Sequence, residues 1–107
     1  MKPRPAGSVE VAALTQAFLD LHRAVAEHIG SVHIRETFRG EVAWEGDVEL
    51  FELVDHPTAT HGYAWTHETD SGGRRYVTVL RVPPVTSPET AVRAVIANEA
   101  RKQRAGL

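Results

Sequence analysis

The stretch His61-Gly62-Tyr63-Ala64-Trp65-Thr66-His67-Glu68, followed by Thr69-Asp70-Ser71-Gly72-Gly73 and then Arg74-Arg75-Tyr76-Val77-Thr78-Val79-Leu80-Arg81-Val82, decides the fold. It reads as two strands joined by a glycine-containing turn, a β-hairpin. On the first strand His61, Tyr63, Trp65 and His67 share one face, and Gly62, Ala64, Thr66 and Glu68 share the other. On the second, Tyr76, Thr78, Leu80 and Val82 lie on one side, with Val77, Val79 and Arg81 opposite. A strand with apolar residues on both sides is covered on both sides.

Upstream, Asp55-His56-Pro57 ends a strand over residues 48–54, because proline cannot donate to a ladder. Glu45-Gly46-Asp47 is a turn signal. Residues 31–44 alternate, with Val32, Ile34, Glu36 and Phe38 on one face and His33, Arg35, Thr37 and Arg39 on the other. We read them as one long strand bent at Gly40; the competing reading is two strands with a tight turn at Arg39-Gly40.

Helices flank the strands. Residues 8–28 predict the first, with Ser8 as N-cap, a face of Leu14, Phe18, Leu21 and Val25, and Gly30 just past its end. Ser87-Pro88-Glu89 starts the second, which runs to about residue 103 with Val92, Val95 and Ile96 inward. Arg101, Lys102 and Arg104 complement the dipole in its last turn. The order is therefore α-β-β-β-β-α. Short connections favour an antiparallel meander, and two helices on one face of it give a two-layer α+β domain. That domain spans residues 8–104, between a disordered tail at 1–7 and a frayed C-terminus at 105–107.

Two helices on one face leave the other open, yet that face does not read polar. It would expose Tyr63, Trp65, His61 and His67, with Trp44 nearby. Exposed apolar surface marks a binding site, and the commonest partner is a second copy. The expectation is a small binding or adaptor module of unknown ligand, homodimeric through a sheet face or edge.

Composition narrows the classes. Apolar residues are 42% and charged residues 24%, as in ordinary globular domains. There is no cysteine, so neither disulfides nor thiolate chemistry arise, and a cytoplasmic location is expected. No apolar run is long enough for a membrane span. The net charge of -2 gives no global pull toward nucleic acid. Charge is uneven, however. Glu41, Glu45, Asp47, Glu49, Glu52 and Asp55 lie in a stretch without a base, while Arg81, Arg93, Arg101, Lys102 and Arg104 dominate the C-terminal end.

Candidate chemistry is sparse. His61 and His67 share a strand face but stand roughly 20 Å apart, so one ion cannot bridge them. His56 and His61 across the Pro57 turn, with Tyr63, offer a second alternative, a small-ligand or metal-dependent enzyme. That set falls short of the ligands zinc needs, and we assign no metal, no cofactor and no catalytic residue. No serine lies in a Gly-x-Ser-x-Gly elbow. Arg74, Arg75, Arg101 and Lys102 are possible phosphate contacts. The order of elements is similar to the double-stranded-RNA-binding domain, which is helix, three strands, helix. In that family the second helix begins with phosphate-contacting lysines; here the position reads Ser87-Pro88-Glu89-Thr90. Nucleic-acid binding is the first alternative function.

Overall fold

A computed structural model of the chain describes residues 5–68 and 72–105, with side-chain surroundings over 10–67 and 72–99. Its elements are α1 (Pro5–His22), β1 (Val25–Phe38), β2 (Glu41–Val54), β3 (His61–Glu68), β4 (Arg74–Leu80) and α2 (Pro88–Ala105). The strands form one open antiparallel sheet in the order β1-β2-β3-β4. This is the expected α+β meander between two helices. No helix among the described residues is long and apolar enough to cross a membrane.

The sheet is built around the alternation in β3. Gly62 and Ala64 face α1. The Phe18 ring lies so close to Gly62 that a Cβ there would stand 2.6 Å from Phe18 Cε1. Phe18 also packs on Phe51, with ring centroids 5.0 Å apart, in a core with Leu14, Ala26, Leu53 and Ala64. Tyr63 and Trp65 turn the other way, into a second core with Ala91 and Val92 of α2 and with Ile34 and Val48. The helices therefore lie on opposite faces of the sheet, not on one as expected, and the layers run helix, sheet, helix. Both faces of β3 and β4 are apolar, and a helix on each removes both from water. The aromatic face expected to be open is covered: Tyr63 is 7% exposed and Trp65 2%.

β1 serves both cores through a bulge. Its register against β2 passes from His28↔Phe51 to Gly30↔Leu50, so Ile29 is an extra residue. Before it, Ala26 joins the α1 core; after it, Ile34 joins the α2 core. Both positions are even-numbered, and without the extra residue they would face the same way.

Three further sequence expectations change. The first helix ends at His22 rather than His28, because Arg23 takes a left-handed φ of 55°. The Arg23 N–H still reaches the Leu19 carbonyl at 3.0 Å, closing the helix as a glycine usually would. Gly30 lies within β1. Leu14 and Phe18 are buried as expected, but Leu21 and Val25 are 65% and 57% exposed. At the other end α1 begins at Pro5, ahead of Ser8, and residues 1–4 lie outside the described residues.

The second change is at Arg39-Gly40. Both residues have positive φ, 56° and 83°, in a two-residue turn of the I′ kind between paired Phe38 and Glu41. The two-strand reading is the correct one. The third follows from it: Glu45-Gly46-Asp47 is no turn but runs through the middle of β2. Gly46 serves as a seat, since a Cβ there would stand 2.9 Å from Trp44 Cζ2. The second helix is capped as read. The Thr90 N–H donates to Ser87 Oγ at 3.2 Å, and the Ser87 N–H donates back to Thr90 Oγ1 at 2.9 Å.

Two glycine substitutions separate these roles. Gly62→Ala collides with the Phe18 ring and should cost about 1–3 kcal/mol, part of it recovered in a Phe18→Leu background. Gly40→Ala meets nothing within 4 Å and should cost about 1–2 kcal/mol from backbone strain alone, with no coupling to Phe18. Urea denaturation of the single and double variants measures both; an uncoupled Gly62→Ala would contradict the close docking of α1.

Candidate functional site

β2 and β3 share a short ladder, from Glu49↔Ala64 to Glu52↔His61. Beyond it β2 pairs with β1 alone, as far as Glu41↔Phe38, and β3 pairs with β4 alone, as far as Glu68↔Arg74. The sheet forks at this point. Trp44 from one arm and Trp65 from the other meet across the fork, with centroids 5.7 Å apart and planes inclined at 50°.

The fork, with α2 beneath it, leaves a cleft of about 360 Å³. Its walls include Phe38, Trp44, Trp65, Val77, Val92 and Ile96, and its polar groups are His67, Arg75 and Glu99. The cleft follows from side-chain size. On the α1 face Gly62 and Ala64 let the helix come down onto the sheet. On the other face bulky rings fill the space nearest β3, and Trp44 folds back onto Gly46.

The polar groups form one cluster. His67 and Arg75 are direct cross-strand partners on β3 and β4. Arg75 Nη2 donates to Glu99 Oε2 of α2 at 3.2 Å, with both side chains half-exposed. At the open end the Arg39 guanidinium lies over the Phe38 ring, 5.3 Å from its centroid. The volume, the aromatic walls and the few convergent polar groups are those of a small-ligand site.

The residues singled out from sequence divide. Trp44, Trp65, His67 and Arg75 come together in the cleft. Tyr63 shares their face but is buried in the α2 core. His61 stands at the other end of β3, its Nδ1 2.9 Å from Thr60 Oγ1. His56 pins the turn after β2, where its Nδ1 accepts the N–H groups of Thr58 at 3.2 Å and Ala59 at 3.1 Å. Arg74 points to the α1 side and pairs with Glu10. The side chains of Arg101 and Lys102 lie outside the described residues. Among the described residues no group of three His, Asp or Glu side chains is placed to hold a metal ion. Sequence reasoning missed Phe38, which the end of β1 brings to the cleft, and Glu99, which α2 brings there.

Other histidines are engaged elsewhere. His28 Nε2 lies 2.7 Å from Glu49 Oε1, and Glu49 is the buried acid of the α1 face. His33 bridges two acids of β2, with Nε2 2.9 Å from Glu45 and Nδ1 3.0 Å from Asp47. Those hydrogen bonds, Glu45's first, raise its pKa above the ordinary histidine value. Burial lowers that of His22, assisted by the charge of His56 and opposed by the contact with Thr78.

Set against protein-family models, curated proteins and solved structures, the chain matches none.

The two histidines shift stability in opposite directions. His33, raised on folding, stabilises the protein most below about pH 6.5 and loses that effect as the pH rises through its folded pKa. His22, lowered on folding, resists protonation and destabilises the fold as the pH falls below about 6.5. The stability gap between wild type and His33→Gln should therefore widen on acidification, whereas His22→Gln should lose less stability than wild type over the same range. Urea midpoints between about pH 8 and about pH 5 give the comparison; parallel profiles would contradict both assignments.

Proposed function

We propose that the protein is a small binding module whose ligand site is the cleft between the forked hairpins and α2. The observation that carries this reading is that both tryptophans of the chain, Trp44 and Trp65, meet in one partly open cleft of small-ligand volume. Aromatic side chains there give an apolar ring a large contact area at little entropic cost, and His67, Arg75 and Glu99 provide orientation. Phosphate contact through Arg74 and Arg75 has less support, because each already meets a carboxylate of a flanking helix.

A second reading, association with another copy of the chain, is favoured by a different surface. Leu19, Leu21, Val25 and Ile29 are exposed where α1 passes into β1. Exposed apolar side chains of this kind are where self-association is expected. Light scattering on a sizing column, at low and high salt, tests it: a salt-insensitive dimer broken by Val25→Lys supports the reading, and a monomer removes it.

The cleft itself is tested by tryptophan emission, which here reports on one place. A neutral bicyclic aromatic, 2-naphthamide, should bind with a Kd of about 1 mM, given the usual affinity per atom of such a ligand. Trp44→Ala should weaken binding at least about tenfold. A neutral probe that neither alters the emission nor binds by calorimetry at several times that concentration would overturn the reading.

A further inference from the structure

We propose that the cleft takes a planar aromatic carboxylate, and that Glu99 acts as an internal stand-in for the ligand's carboxylate, covering Arg75 until the ligand arrives. This rests on the cleft being a ligand site and specifies what occupies it. The structure already holds the relevant pair: a carboxylate, that of Glu99, on Arg75 at 3.2 Å, at the edge of an aromatic-walled space. That bond uses one of the five N–H donors of the guanidinium, which is built to take a carboxylate through two.

Directly across the strand pair from Arg75 is His67, whose ring makes no hydrogen bond among the described residues. A guanidinium and an imidazole N–H side by side on one face can both donate to an anion placed between them. Glu99 is half-exposed and sits late in α2, so turning its side chain to water breaks only a surface ion pair, which contributes about 0–1 kcal/mol. An incoming carboxylate thus displaces Glu99 at little cost, while its ring takes the wall formed by Trp44 and Phe38.

A cationic ligand fits less well. Glu99 is the acid of the cleft and is already neutralised by Arg75, and the Trp44 and Trp65 rings lie against each other rather than spaced to box an ammonium.

The test compares 2-naphthoate with 2-naphthamide, which share ring and shape and differ in charge, by calorimetry at about neutral pH and low salt. Naphthoate should bind about tenfold more tightly, with the advantage shrinking in high salt. Arg75→Gln should bring the naphthoate-to-amide affinity ratio down to about one. Glu99→Gln, which removes the stand-in, should tighten naphthoate binding severalfold and raise the naphthoate-to-amide ratio above that of the wild type. If neither ligand binds, the cleft is not a ligand site and the reading beneath this one fails. If both bind equally, in wild type and Arg75→Gln alike, the cleft stands and the carboxylate inference is overturned. If naphthoate weakens or is unmoved in Glu99→Gln, the stand-in role is overturned. Thermal melts of both variants confirm that the half-exposed substitutions leave the fold intact.

Discussion

The structure depends on β3 having to satisfy two helices at once. Its residues alternate small and large, with Gly62 and Ala64 on one side and Tyr63 and Trp65 on the other. The small side admits the Phe18 ring to within contact of the backbone, so α1 lies close and leaves nothing open at that point. The large side fills itself with aromatic rings, and α2 packs on those rings. A closed face and a face with a cleft follow from one dipeptide pattern repeated twice. Two layers would have left one of these faces in water, at about 25 cal/mol for each Å² of apolar surface exposed.

The long first hairpin has to feed both cores, and an uninterrupted alternation could not do this. Ile29 inserts one residue and exchanges the faces, so Ala26 supports α1 while Ile34 supports α2. Past that point the hairpin leaves β3 behind. The arms diverge after Glu49↔Ala64, and α2 spans the gap, tied to the first arm by the Arg93–Glu36 ion pair at 2.9 Å and to the second by Arg75–Glu99. The free edge of β1 carries Glu27, His33 and Arg35, and both the bulge and those charges discourage a further strand from adding there.

Much of this was legible in the sequence, for identifiable reasons. The strand pair from His61 to Leu80 and the capped start of α2 are written in local chemistry, in period-two alternation and in Ser87-Pro88. What failed was what depends on contacts far along the chain. Val25 continues the spacing of Leu14, Phe18 and Leu21, but Arg23 adopts a conformation that its residue type does not advertise, and the helix stops there. Gly46 looks like a turn because its reason for being glycine, the Trp44 ring folded onto it, is a packing fact. The helices were placed on one face although the second hairpin strand reads apolar on both sides, a pattern that asks for a cover on each. The cleft was half legible: Trp44, Trp65, His67 and Arg75 stood out as aromatic or charged residues, but their meeting place depends on the fork, and Glu99 on the pitch of α2.

The short ladder between β2 and β3 has a consequence for the cleft. The two hairpins are joined by the pairs from Glu49↔Ala64 to Glu52↔His61, close to where Phe18 and Phe51 lock the sheet onto α1. Beyond that junction no ladder pair among the described residues crosses from β2 to β3. The distance between the arms is therefore set by side chains: the Trp44–Trp65 ring contact and the two ion pairs that tie the arms to α2. The width of the cleft is written in side-chain identity rather than in backbone pairing.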